Sequence, residues 1–140
     1  DISSEMVGRC QKGLYTGRSI EVFRKSRAEL FEKYMKESEE SFFEVLPEIK
    51  SKIHFSQHNL FYPSQNKEKF DLVLIRNVLI YFKSEDQEQV LSLIAPKLAE
   101  DGVMIIGESE SLSYIKTTFK LVEPLVYRHD PDDKVDVKVS

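Results

Sequence analysis

The sequence is poor in the groups that most often announce a function. Cys10 is the one cysteine in 140 residues, so no internal disulfide can form and a reducing, cytoplasmic setting is expected. No apolar run approaches the ~18 residues of a membrane span. No basic stretch leads into an apolar core at the start, so no secretory leader is expected either. The net charge of −4, with no basic run, argues against a nucleic-acid partner. Metal chemistry is not expected: no Cys/His cluster has zinc spacing. His54 and His58 would sit about 13 Å apart on one strand face, too far to share an ion. Ser109 stands in Gly107-Glu108-Ser109-Glu110, not in the G-x-S-x-G elbow of a serine hydrolase. Walker-type and G-x-G-x-x-G loops are missing. So is an initiator Met: the chain opens Asp-Ile-Ser and reads as a piece of something longer.

What is present has the rhythm of an α/β protein. Ser3 or Ser4 can cap a helix over 5–12, with Gly13 as its stop. The alternating stretch 19–23 suggests a small strand. Ser26 and Glu29 have capping-box spacing ahead of a helix carrying Leu30, Phe31, Tyr34 and Met35. Residues 37–41 form a polar turn, and 42–45 can pair with the small strand. Pro47 fits the first position of a short helix ending near Ile53. IHFSQHNL (53–60) then alternates like a strand, and 62–69 is a polar loop.

FDLVLI (70–75) has the apolar continuity of a strand covered on both faces. Ser84 and Gln87 repeat the capping-box spacing, Val90, Leu91, Ile94 and Leu98 mark a buried helix side, and Pro96 can kink it. Asp101-Gly102 should end that helix before the apolar strand VMIIG (103–107). Strand, helix and strand in about 38 residues predict a βαβ unit and a parallel pair. FKLVEP and LVYRHD predict a closing antiparallel pair, followed by a charged, frayed tail over 131–140.

Ligands of open α/β sheets bind beyond the carboxyl ends of the strands. That rule selects Asp1-Ile2, His58-Asn59-Leu60, Arg76-Asn77 and 107–110. Each has a plainer reading. Asp1 can be a helix cap, Asn59 a turn residue, and Arg76-Asn77 a link to loop carbonyls. Tyr81 and Phe82 can be core aromatics, and Glu108 and Glu110 loop solvation or capping. From the residues alone, the chain is an α/β domain with a polar cleft.

The ordered set DIS, G-x-Y, HNL, FDLVLIRNVLIYF and DGVMIIGESESL closely resembles the CheR family of chemotaxis receptor methyltransferases, from Asp1 to about Tyr127. RNVLIYF together with G-x-S-E is the specific part; DIS or HNL alone is weak. The resemblance implies a doubly wound, Rossmann-like methyltransferase sheet with a small inserted β-subdomain near 19–45. It implies S-adenosylmethionine as cofactor, S-adenosylhomocysteine as product, and glutamates on chemoreceptor cytoplasmic helices as acceptors. Asp1 would hold the ribose hydroxyls, Asn59 and Leu60 the adenine, and Arg76 and Asn77 would border the cofactor near the methyl donor. Tyr81 would assist at the acceptor.

Two departures are visible. The family usually has His where this chain has Glu108. Its Gly-rich cofactor loop, first two sheet strands and N-terminal helical domain lie upstream of DIS. Residues 1–130 are therefore expected to be the C-terminal portion of the methyltransferase domain, weak or inactive alone and prone to associate through exposed sheet edges. KESEES (36–41) lacks the glycine of members that dock on a receptor-tail peptide, which points to a peptide-independent member. The alternatives are a methyltransferase for another acceptor, or a non-catalytic cofactor-sensing or docking module.

Overall fold

The computed structural model describes residues 1–38 and 41–132 of the chain. It divides into two compact units, Asp1–Asn59 and Leu60–Ser140. Part of the expected polar turn at 37–41, and the charged tail beyond 132, lie outside the described residues.

In the first unit, helix α1 (Ser4–Lys12) starts at Ser3, whose hydroxyl accepts the Met6 N–H at 3.3 Å, and stops at Gly13 in the left-handed region. The chain passes directly into β1 (Leu14–Tyr15). Strands β2 (Met35–Glu37) and β3 (Phe43–Val45) complete an antiparallel sheet in the order β1-β3-β2, with Tyr15 and Glu37 both opposite Phe43. The strand expected at 19–23 is instead part of helix α2 (Arg18–Ser26). Five alternating residues cannot by themselves separate the two periods, and Ile20 and Phe23, three apart, share a helical face. That face meets helix α3 (Ala28–Tyr34) in an aromatic core of Ile20, Phe31 and Phe43, with Phe23 and Met35 packed against it. Phe31 stands edge-on to both Phe23 (5.8 Å) and Phe43 (5.1 Å). Glu44 on β3 bridges Lys36 (2.9 Å) and Lys50 (2.8 Å), and Lys50 belongs to the Pro-initiated helix α4 (Pro47–Lys50). No ladder forms over 53–59. The segment holds two backbone bonds to the chain start, His58 N–H to Asp1 C=O at 2.8 Å and the Asp1 amino group to Ser56 C=O at 3.5 Å. Both involve Asp1 alone, and one residue does not make a strand.

The second unit is built on a four-stranded sheet in the order β4-β5-β7-β6. Strand β4 (Phe70–Ile75) and β5 (Leu98–Ile106) are parallel and joined by helix α5 (Ser84–Ile94). Strands β6 (Phe119–Glu123) and β7 (Val126–His129) close the sheet antiparallel. The βαβ unit and the closing pair are thus as the sequence predicts. Val90, Leu91, Met104, Ile106 and Leu79 are fully buried and form the core.

Four local expectations change. Neither capping box forms: Ser84 is already the first helical residue of α5 and Ser26 the last of α2, so the caps fall on Lys83 and Arg27, without side-chain bonds. Pro96 ends α5 in one 3-10 turn rather than kinking it, and β5 begins at Leu98. Asp101-Gly102 lies inside β5 as a bulge, because Phe70 pairs with Leu98 but Leu72 with Val103. A Cβ on Gly102 would stand 2.8 Å from the Phe70 carbonyl oxygen, so only glycine permits that approach. Finally, β4 is covered on one face only. Val73 and Ile75 meet the core, while Phe70, Leu72 and Leu74, on the opposite face, are exposed; β4 is also an edge strand, with β5 as its single partner among the described residues.

Candidate functional site

Strand β4 ends at Ile75, and the polar pair Arg76-Asn77 opens a tight turn leading to a 3-10 turn at Leu79–Tyr81. Both polar residues are exposed. Asn77 has φ 57, a left-handed conformation that Asn tolerates better than most residues. Ile75 and Leu79 anchor the turn in the core on either side of the pair.

The turn is held from below by Glu110, the one buried charged residue described. Its Oε1 accepts the N–H groups of Val78 (2.8 Å) and Leu79 (2.7 Å). Its Oε2 accepts those of Asn77 (2.9 Å) and Gly107 (2.6 Å). Three successive N–H groups of one turn, joined by one from the end of β5, form an anion nest filled by the protein's own carboxylate. Burial pushes the Glu110 carboxyl up, but the bonds from Gly107, Asn77, Val78 and Leu79 together outweigh it and hold its pKa below the usual value. The carbonyl side is held by Gln87 on α5, whose Nε2 donates to Leu79 O (3.0 Å) and Phe82 O (2.9 Å).

Gly107 makes the junction possible. A Cβ there would lie 2.6 Å from Asn77 Oδ1, 2.8 Å from Glu110 Oε2 and 2.9 Å from Asn77 N. Tyr81 rides on this turn with 80% of its surface exposed, so it is no core aromatic. Phe82, in contrast, packs edge-on against Phe61 at 5.2 Å.

A second group of the sequence-selected residues gathers within the first unit. Asp1 Oδ1 accepts the Ser3 N–H at 2.8 Å, the Asp1 carbonyl accepts the His58 N–H, and Gln57 Nε2 donates to Ile2 O at 2.8 Å. These bonds lay the chain start alongside the segment that carries Asn59, which is half-buried. Asp1, Val7, Cys10, His54, Phe55, Ser56 and His58 line a cleft of about 280 Å³. Leu60 packs against the core of the second unit. Among the described residues no group of His, Cys, Asp and Glu could hold a metal ion.

Over residues 1–127 the chain matches the family model of the CheR methyltransferase, SAM-binding domain. The chain belongs to this family. Its relatives include chemotaxis protein methyltransferases of Pseudomonas putida (30% identical over 123 residues, 88% of this chain and 44% of the relative) and Vibrio parahaemolyticus (30% over 122 residues, 87% and 44%). One from Salmonella typhimurium is 31% identical over 135 residues, 94% of this chain and 46% of the relative. The chain therefore spans under half the length of these curated relatives.

The cofactor of a CheR SAM-binding domain is S-adenosylmethionine. The residues present fit such a group on one count. Asp1 is exposed, and its Oδ2 makes no hydrogen bond among the described residues, so an acceptor for a pair of ribose hydroxyls is available beside 58–59. No helix among the described residues is long and apolar enough to cross a membrane. Glu110 is the residue whose weight the sequence understates. Its signal is faint: a carboxylate three residues past a strand-ending glycine, within reach of the neighbouring strand's exit.

Proposed function

We propose that this chain is the C-terminal part of the catalytic domain of a cytoplasmic, S-adenosylmethionine-dependent methyltransferase of chemotaxis, and that its acceptors are glutamate side chains on chemoreceptor cytoplasmic helices. Family membership over residues 1–127 carries this reading, supported by the chemotaxis methyltransferase names of its relatives. The bound cofactor supplies an electrophilic methyl group on a sulfonium. Asp1 would take the ribose hydroxyls, Asn59 and Leu60 the adenine, and Arg76 and Asn77 the region nearest the methyl donor.

A glutamate side chain has a pKa of about 4.3, so at neutral pH it is already a nucleophile and needs no general base. What the protein's residues supply is alignment and exclusion of water. Tyr81, exposed on a turn fixed from both sides, is suited to orient the acceptor carboxylate by a hydrogen bond from its phenol. This accounts for the missing catalytic triad. Without a Gly-rich loop in its sequence, the chain alone should bind cofactor weakly and turn over slowly. The alternatives are a methyltransferase for another acceptor and a non-catalytic cofactor-sensing or docking module.

The deciding experiment incubates the full-length protein with methyl-labelled S-adenosylmethionine and receptor-bearing membranes, in parallel with receptors whose acceptor glutamates are replaced. Label in the first receptor alone supports glutamate methylation. Label in both points to another acceptor, and cofactor binding without any transfer points to the sensing module.

A further inference from the structure

We infer that Glu110 is a positioning residue for the methyl-transfer site, acting through the 76–82 turn to set where Tyr81 stands; the inference rests on the methyltransferase reading above. Tyr81 is 80% exposed, so packing of its own ring cannot fix its place. Its placement must come from its backbone, and that backbone is gripped at two points. Glu110 takes the N–H groups of 77, 78 and 79 on one side, and Gln87 takes the carbonyls of 79 and 82 on the other. Asn77 is in a left-handed conformation, which Asn tolerates but which still gains from bonds that hold the neighbouring backbone. Glu110 supplies those bonds and ties the turn to Gly107 at the end of β5.

The residue type matters as much as its place. A carboxylate is acceptor-only and matches four converging N–H donors. The amide of a glutamine would set its own NH2 against two of them, either those of Val78 and Leu79 or those of Asn77 and Gly107. Aspartate keeps the charge but shortens the reach by one methylene. A residue that merely stabilised the fold would lower activity in proportion to lost folded protein. Glu110 instead should act through Tyr81 in the molecules that remain folded.

The test uses the full-length protein with Glu110→Gln, Glu110→Asp, Tyr81→Phe and the double variant Glu110→Gln/Tyr81→Phe. Hydrogen exchange at the amides of 77, 78, 79 and 107 is followed with Met104 and Leu91 as core controls, alongside kcat and KM for S-adenosylmethionine. Glu110→Gln should speed exchange at those four amides at least tenfold and leave the controls unchanged. It should lower kcat at least tenfold with KM within about threefold, and Glu110→Asp should recover part of both. In the Tyr81→Phe background the same substitution should cost less than about threefold in kcat, because its target is already gone.

An equal loss in both backgrounds overturns the inference, as does transfer that Glu110→Gln leaves undiminished. No transfer by the unaltered protein overturns the methyltransferase reading first, and the catalytic part of this one with it. If Glu110→Gln does not fold, the Glu110→Asp pair with and without Tyr81→Phe carries the same comparison.

Discussion

Glu110 and Asn77 join the exits of two parallel strands through one oxygen. Glu110 Oε2 accepts the Asn77 N–H at 2.9 Å and the Gly107 N–H at 2.6 Å. The end of β4 and the end of β5 therefore share an acceptor, and the polar pair that interrupts an apolar run owes its conformation to a carboxylate more than thirty residues away in sequence. The plain reading of Glu110 as a cap describes its bonds correctly. What it leaves out is that the capped turn carries the exposed Tyr81.

Gly107→Ala tests the closeness of that junction. The added methyl would meet Asn77 Oδ1 at 2.6 Å, Glu110 Oε2 at 2.8 Å and the Asn77 nitrogen at 2.9 Å. Backbone at that distance cannot move aside cheaply, so a loss of about 1–3 kcal/mol is expected, as for other overpacked sites. Urea denaturation of parent and variant checks it, and an unchanged midpoint would show that the junction is looser than these distances.

The same carboxylate gives the protein a specific acid sensitivity. Glu110 has a folded pKa below its usual value, so its contribution to stability is complete above an unfolded pKa of about 4.3. It is lost as pH falls through the folded value. Glu44, held down by its bonds to Lys50 and Lys36, and Asp130, held down by Lys120, share that direction. The difference between parent and Glu110→Gln isolates the Glu110 share. Thermal unfolding at a series of pH values should show the two melting temperatures furthest apart at neutral pH and converging below about pH 4. A gap that stays constant with pH would assign the stabilisation to packing rather than charge.

The sequence made the second unit legible because its signals were local and redundant. FDLVLI and VMIIG, separated by a helix with Val90 and Leu91 on its inner side, specify a parallel pair whatever else is present. The first unit was harder. SIEVF fits a strand for five residues, and only its packing of Ile20 and Phe23 against Phe31 reveals a helix. Capping spacing misled twice for one reason. A Ser three residues before Glu or Gln does not say which of the two neighbouring residues bends first, and the bend fell on Arg27 and Lys83. The polar pair is visible from its position after a strand, whereas the role of Glu110 is not, because its four donors converge only when β4 and β5 lie side by side.

Tyr81→Phe separates orientation of the acceptor from binding of the cofactor. The phenol is exposed and the ring contributes nothing to the core, so the variant should keep its stability and its affinity for S-adenosylhomocysteine. Turnover should fall about tenfold or more if the hydroxyl aligns the acceptor in the transition state. Calorimetric titration and initial-rate assays on the full-length protein check the two halves. Loss of cofactor binding on removing one hydroxyl would place Tyr81 among the groups that shape the cofactor site.

The exposed face of β4 sets the behaviour of the chain in isolation. Phe70, Leu72 and Leu74 alternate along one side of an edge strand and are 39%, 49% and 62% exposed. An edge that is apolar and unpaired on one side pairs readily with another chain. The 140-residue chain should therefore associate as its concentration rises. Leu74→Lys introduces a charge at the most exposed of the three positions, where little packing is lost and edge pairing is opposed. Sedimentation velocity over a concentration series should show the parent shifting to larger species and the variant remaining a monomer. The two should unfold within about 0.5 kcal/mol of each other, the range of surface substitutions away from special features. Equal association by parent and variant would locate the sticky surface elsewhere, with the exposed Leu121 and Val122 of β6 the next to substitute.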